Sequence, residues 1–331
     1  MTVRVGLHGF GRMGRTALRA AWSWPELDIV HINDSSIEPS LAAHLLTYED
    51  SNATWADIQV SEDVSLKIDD QCLGFTRQTS ILDVDWRGYQ VDVVIVCDES
   101  SNDISAIKQL LSKGVRKVVI AGAMHHNVLN IVMGVNDYLY NASAHHLVAS
   151  GHWLTQSYAP ILKVLHDGLG VSHGAISVAK PLIPSPQDYD PIACRFRHPG
   201  NAIIPQRFEK IHNKLIFPEL ANRLNCNVIH LPLYGPSYVE GTFEVSCNTT
   251  AEEVGSLFIK AANGLLRGIL RVDDNNLVST DFARSPVSCV IDMPALSVVA
   301  GTQVRVLAWC DFEAGFCQRL MELVRKVGMS I

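Results

Sequence analysis

The feature that most constrains this fold stands at the start of the chain. The apolar run Val3 to Leu7 passes without a break into His8-Gly9-Phe10-Gly11-Arg12-Met13-Gly14, and then into a segment with Ala17, Leu18, Ala21 and Trp22 on one helical face. That order predicts buried strand, glycine turn, helix. A second apolar run, Ile29 to Ile32, ends at Asn33-Asp34, and Asp34 follows Gly14 by 20 residues, the separation at which an acid meets a ribose diol in dinucleotide-binding βαβ units. Glycines permit a tight turn and close backbone approach, and the helix start adds N–H groups and a positive dipole for a pyrophosphate. The expected cofactor-binding set is therefore Gly9, Phe10, Gly11, Arg12, Met13, Gly14 and Asp34. Because Asp34 repels a 2′-phosphate, NAD is expected over NADP. A competing reading, in which the glycines serve only turn geometry and helix packing, stays open at this level.

Alternation continues downstream. Val91 to Cys97 predicts a central parallel strand, Ile104 to Leu111 a helix and Lys117 to Ile120 another strand, so the first 150 residues read as a doubly wound α/β domain. Beyond Ala159-Pro160, Ile161 to Leu169 predicts a helix, while Ala175 to Ala179, Val228 to Leu233 and Tyr238 to Ser246 predict strands of a second, sheet-based domain. Phe316, Leu320, Leu323 and Val324 recur at helical spacing in Gly315 to Val327. With 331 residues, 47% of them hydrophobic, the chain has material for two cores.

A net charge of −7 gives no global basic field for nucleic acid or anionic membranes, so small molecules or proteins are the expected partners. Apolar runs such as Val93 to Cys97 are far too short to span a bilayer. No charged n-region followed by a long apolar stretch opens the chain, and a cytoplasmic protein is expected. Eight cysteines without a CxxC pair argue against a zinc ribbon or a disulfide framework, and free buried thiols are expected. The doublets His125-His126 and His145-His146 lack metal-ligand spacing, and no metal site is expected.

Several motifs carry a resemblance. His8-Gly9-Phe10-Gly11-Arg12-Met13-Gly14-Arg15 resembles N-G-F-G-R-I-G-R of the glyceraldehyde-3-phosphate and erythrose-4-phosphate dehydrogenases. Val132-Met133-Gly134-Val135-Asn136 resembles their V-M-G-V-N, and Val278-Ser279-Thr280-Asp281-Phe282 their V-S-S-D-F. Ala149 to Pro160 aligns without gaps with S-N-A-S-C-T-T-N-C-L-A-P. The resemblance implies an N-terminal Rossmann dinucleotide-binding domain, 1–150, completed by the C-terminal helix 315–331. It further implies an α+β glyceraldehyde-3-phosphate dehydrogenase-like C-terminal domain, 151–314, with an S-loop, NAD as cofactor and a homotetramer.

The departures from that pattern concern the chemistry. Phosphorylating aldehyde oxidation needs a thiolate, because the thiohemiacetal is the good hydride donor, and a histidine to activate it. Trp153 stands at the thiol position, and Ala179 stands at the histidine position of T-T-V-H-A, matched by Ile176 to Lys180. The family's I-I-P-T-S-T-G is matched by Ile203 to Glu209, which replaces the phosphate-binding hydroxyl and glycine with Phe208 and Glu209. Its R-V-P arginine is matched by His230, and Leu182 and Pro184 replace two threonines. The T-G pair after the central strand becomes Asp98-Glu99, and the nicotinamide-holding asparagine becomes Phe312. Arg195 and Arg197 match S-loop arginines, with subunit packing or residual phosphate contact as the two readings.

Two accounts of Trp153, Phe208 and Phe312 remain: apolar filling of a vacated cleft, or the lining of a remodelled pocket for another small-molecule ligand. The function expected is a pseudoenzyme that keeps the fold, with or without NAD binding, does not carry out phosphorylating aldehyde oxidation, and acts as a sensor or partner. One alternative is an NAD-dependent oxidoreductase on a different carbonyl or hydroxyl, with His152 or Lys180 as proton donor. Residual glyceraldehyde-3-phosphate or erythrose-4-phosphate dehydrogenase activity is the other.

Overall fold

The computed structural model describes residues 2–48, 55–61, 65–98, 103–125, 127–181, 203–207, 211–233 and 235–331. Glu99, Leu182, Pro184, Cys194, Arg195, Arg197, Phe208 and Glu209, and with them the S-loop of the sequence reading, lie outside the described residues. The chain divides into two compact units, one of Met1–Ile131, Leu139–Ser150 and Leu320–Ile331, the other of Val132–Tyr138 and Gly151–Arg319.

In the first unit the sequence runs β1 (Val3–His8), α1 (Arg12–Ala21), β2 (Leu27–Asn33), α2 (Pro39–Tyr48), β3 (Ile58–Ser61), β4 (Ser65–Ile68), β5 (Gln71–Thr76), β6 (Val93–Val96), α3 (Ile104–Ser112), β7 (Lys117–Ile120), β8 (Leu129–Asn130) and β9 (Leu147–Ala149). Among the described residues these strands form one sheet in the order β3-β4-β5-β2-β1-β6-β7-β9-β8. The run from β5 through β8 is parallel, and β3-β4-β5 is an antiparallel meander added at one edge. All four residues of β6 and of β7 are buried, as expected of central strands covered on both faces. Helix α1 buries Gly14, Arg15, Ala17, Leu18 and Ala21 on a single face.

The second unit runs α4 (Trp153–Leu169), β10 (Val171–Pro181), β11 (Ile204–Arg207), α5 (Ile211–Ile216), β12 (Leu224–Leu231), β13 (Ser237–Val245), α6 (Ala251–Asn263), β14 (Leu270–Asp273), β15 (Cys289–Asp292), β16 (Ser297–Val299) and β17 (Gln303–Cys310). Helix α7 (Phe312–Gly328) begins in this unit and ends in the first. The mixed sheet has the order β11-β12-β10-β13-β17-β15-β14, with β16 on β17. One core joins Leu154, Tyr158, Leu162 and Leu165 of α4 and Val254 and Phe258 of α6 to Ile176, Val178, Val239, Phe243, Val304 and Val306 of the sheet.

Some boundaries differ from those the sequence predicts. Helix α4 starts at Trp153, not Ile161, and holds Pro160 inside it. Proline forfeits one backbone bond in a helix interior, but here the flanking turns are buried on the core side and their packing outweighs that loss. Strand β12 begins at Leu224 rather than Val228, because Leu224, Cys226 and Val228 point into the core while Asn225 and Asn227 are exposed. Its period is that of a half-buried strand, which the polar residues mask in the sequence. Cysteine burial is also uneven: Cys226, Cys289, Cys310 and Cys317 are buried, but Cys72 and Cys247 are exposed. No helix among the described residues is long and apolar enough to cross a membrane.

Candidate functional site

In the first unit the chain leaves β1 through Gly9, whose N–H donates to the Asn33 carbonyl at 2.8 Å. Gly9 has φ +93°, and a Cβ there would lie 2.6 Å from the backbone nitrogen of Asp98, so left-handed backbone and close approach both demand glycine. Gly14 faces back onto the same turn, since a Cβ on it would stand 2.3 Å from the Gly9 carbonyl oxygen. Gly14→Ala is therefore expected to destabilise the protein by about 3 kcal/mol, as overpacking against backbone does, read as a lower midpoint in chemical denaturation. An unchanged midpoint would disprove this packing.

Gly11 differs from these two. It is the N-cap of α1, with no side-chain cap and no acidic residue in the first turn, and a Cβ on it would meet no described residue within 4 Å. The helix N-terminus is thus open to an anion. Phe10 turns inward and packs edge-on against Phe75 at 6.2 Å, and the buried Arg15 donates from Nη1 to the Phe10 carbonyl at 2.8 Å. Arg12 is exposed and Met13 half-buried along the same turn.

Asp34 ties this turn to the end of β2. Its Oδ2 accepts the Phe10 N–H at 2.6 Å, and its Oδ1 accepts the Ser36 N–H at 2.8 Å and hydroxyl at 2.7 Å. An ionised carboxylate has about four lone-pair positions, so it retains capacity for a ribose hydroxyl while already clamping the turn. The group that fits is an anionic nucleotide: a helix N-terminus floored by an unfilled glycine, with a fixed carboxylate beside it.

Sequence reasoning missed the buried polar set beneath this turn. Asn33 Nδ2 donates to the Gln78 carbonyl at 2.9 Å and to His8 Nδ1 at 3.0 Å. Its Oδ1 accepts from Thr76 Oγ1 at 2.8 Å and from the Gln78 N–H at 2.9 Å. With its own proton used on Asn33, the Thr76 hydroxyl accepts at 2.9 Å from Nε2 of His31. The only sequence signal was polar residues closing otherwise apolar strands.

In the second unit, Trp153 is the first residue of α4 and is half-buried. His152 is its N-cap, in extended backbone, with Nδ1 accepting the Leu154 N–H at 3.1 Å. The Phe312 ring meets the indole edge-on, 4.5 Å between centroids, and the His152 ring lies 4.8 Å from it. Lys180 Nζ stands 4.1 Å from the indole centroid, a cation–π contact worth about 0.5–2 kcal/mol. Ala179 pairs with Tyr238 of β13 and Ile229 of β12, and the side chain that reaches Trp153 from β10 is that of Lys180. The fold thus gathers His152, Trp153, Lys180 and Phe312 into one packed cluster, with Lys180 paired in register with His230.

Residues 3–103 match the family model described as glyceraldehyde 3-phosphate dehydrogenase, NAD binding domain, and residues 154–312 match its C-terminal domain. Glyceraldehyde-3-phosphate dehydrogenase 3 of Nostoc sp. (strain PCC 7120) is 39% identical over the full length of both chains. Glyceraldehyde-3-phosphate dehydrogenase 2 of Streptomyces arenae is 31% identical, also over both full lengths. Glyceraldehyde-3-phosphate dehydrogenase 1 of Bacillus subtilis is 30% identical over 98% of this chain and 97% of its own. With both domains matched in order and relatives that match end to end, the chain belongs to the glyceraldehyde-3-phosphate dehydrogenase family, and NAD is the cofactor of its first domain.

Proposed function

We propose that this protein binds NAD on the family fold but does not carry out phosphorylating aldehyde oxidation, and so is a pseudoenzyme for that reaction. The Trp153 cluster carries the reading. Where the family resemblance sets the nucleophilic thiol, an indole is packed against Phe312 and covered by the Lys180 ammonium. An indole forms no thiohemiacetal, and a free aldehyde is a poor hydride donor without one. Ala179, at the position of the base, has no group to accept a proton.

Bound NAD would supply the hydride acceptor. The chain's own part is to hold the pyrophosphate on the α1 N-terminus and a ribose hydroxyl on Asp34. A second reading, direct hydride exchange with another carbonyl or hydroxyl compound, is favoured by the convergence of His152 and Lys180 on Trp153. The first reading accounts for both side chains without a substrate, His152 as a helix cap and Lys180 as a cation on the indole. Cytoplasmic location and a homotetrameric assembly complete the proposal, on the strength of the end-to-end similarity to the family's dehydrogenases.

Calorimetric titration of cofactor-stripped protein with NAD and NADH tests the binding half. Saturable micromolar binding is expected. Absence of heat up to millimolar cofactor would overturn it and leave a scaffold without cofactor.

A further inference from the structure

We propose that His8 is a positioning residue for NAD: held neutral by Asn33, it fixes the strand end that carries Asp34, and its protonation weakens cofactor binding. The inference rests on the first domain binding NAD.

His8 and Asn33 are register partners at the ends of β1 and β2. The next residue after His8 is Gly9, whose N–H bonds to the Asn33 carbonyl at 2.8 Å, and the next after Asn33 is Asp34, whose N–H bonds to the Thr76 carbonyl at 3.0 Å. The side-chain contact between His8 and Asn33 is therefore one residue from both the phosphate turn and the ribose carboxylate.

The Asn33 amide has a single allowed orientation. Its Oδ1 accepts from the Gln78 N–H and the Thr76 hydroxyl, and its Nδ2 donates to the Gln78 carbonyl. Flipping it would set its N–H groups against the Gln78 N–H and its oxygen against a carbonyl. Nδ2 must then point a hydrogen at His8 Nδ1, which has to be bare, and the neutral ring carries its proton on Nε2.

Among the described residues, titratable groups face His8 from β2 and β6 and the residues that follow them. Asp34 after β2 and Asp98 after β6 both favour a proton on the ring, but burial disfavours it more and holds His8 below the ordinary histidine range. Cys97, whose N–H donates to the His8 carbonyl at 2.7 Å, keeps its thiol protonated because burial pushes it up. His31 of β2, linked through Thr76, is itself kept neutral by burial.

A proton on Nδ1 would face the Asn33 N–H donor to donor. Relief requires Asn33 to rotate or the ends of β1 and β2 to part. Rotation of Asn33 breaks its bonds to Gln78 and Thr76, and parting of the two strand ends draws the Phe10 N–H away from the Asp34 carboxylate that accepts it. The asparagine that N-G-F-G-R carries at this position has no such titration, whereas this chain has histidine.

The test is calorimetric NAD titration of the full-length, cofactor-stripped protein, His8→Asn and His8→Gln from about pH 7.5 to about pH 5, with circular dichroism at each pH to verify the fold. The wild-type Kd is expected to rise as the pH falls, most steeply at the acid end of the range and by no more than about tenfold per pH unit, the limit for one proton-sensitive contact. His8→Asn, whose side-chain oxygen still accepts from Asn33, should bind like wild type at the upper end and change less than about twofold across the range. Parallel profiles for wild type and both variants would overturn the inference, as would a wild-type Kd that is flat or tightens on acidification. No wild-type binding at any pH would overturn the NAD reading and this inference with it.

Discussion

Mixed with NAD, inorganic phosphate and glyceraldehyde 3-phosphate, the protein is expected to form NADH at least about 10⁴-fold more slowly than a thiol-bearing relative under the same conditions. The magnitude follows from losing two groups that act as a unit, since removing either member of a nucleophile–base pair forfeits most of what both supply. Trp153 offers no nucleophile, Ala179 offers no base, and the Phe312 ring and Lys180 chain occupy the space around the indole. Supplying both missing groups in Trp153→Cys/Ala179→His should raise the rate by a measurable factor above wild type, at some cost in stability from the lost indole packing. NADH formation by clean wild-type protein within about tenfold of the relative would reject the pseudoenzyme proposal.

Acid is expected to weaken the fold well before the carboxylates titrate. His31 is fully buried, stacked on Tyr89 at 3.7 Å and edge-on to Trp86 at 5.6 Å, and a Cβ on Gly74 would stand only 2.5 Å from its Nδ1. That Nδ1 has no hydrogen-bond partner among the described residues, and burial lowers the pKa to about 4. The unfolded chain has its histidine near 6.5. Above that value both states are neutral and the stabilisation is complete. Between it and about 4 the unfolded state binds a proton that the folded state refuses, so stability falls with pH by up to about 1.4 kcal/mol per unit. Chemical denaturation at pH 7 and pH 4.5 should differ by roughly 2–3 kcal/mol from His31, with His8 adding in the same direction. His31→Phe, which keeps a ring in the slot without a titratable nitrogen, should lose most of that dependence. Equal acid sensitivity in the variant would place its origin elsewhere.

The parallel core of the first unit and its glycine turn were legible because every local signal agreed. Unbroken apolar runs, glycines where backbone approaches backbone, and an acid at the right distance all pointed one way. The meander β3-β4-β5 was not, since its short strands mix polar and apolar residues and gain their sense only by pairing at the sheet edge. Helix α4 was half legible: Pro160 stops a reading based on propensity, whereas burial of Leu154, Tyr158 and Leu162 decides the fold. At the sites, the resemblance set Trp153 at the thiol position but gave no sign that Lys180 would lie on Trp153, 27 positions earlier in the chain. The His8–Asn33–Thr76–His31 chain was hidden for the same reason. Its members sit 25 to 45 residues apart and meet only when three strands align.

The three glycines of the phosphate turn carry unequal information about history. Gly9 and Gly14 are required by the folded backbone itself and would be kept in a descendant that had abandoned nucleotides altogether. Among the described residues, Gly11 has empty space where a side chain would go, and none of them forbids alanine there. Its presence is accounted for by what approaches the turn from outside. A motif scan scores all three alike, but only Gly11 distinguishes a working nucleotide cradle from an inherited fold, and Gly11→Ala is the substitution that would alter the ligand's seat while leaving the protein's architecture intact.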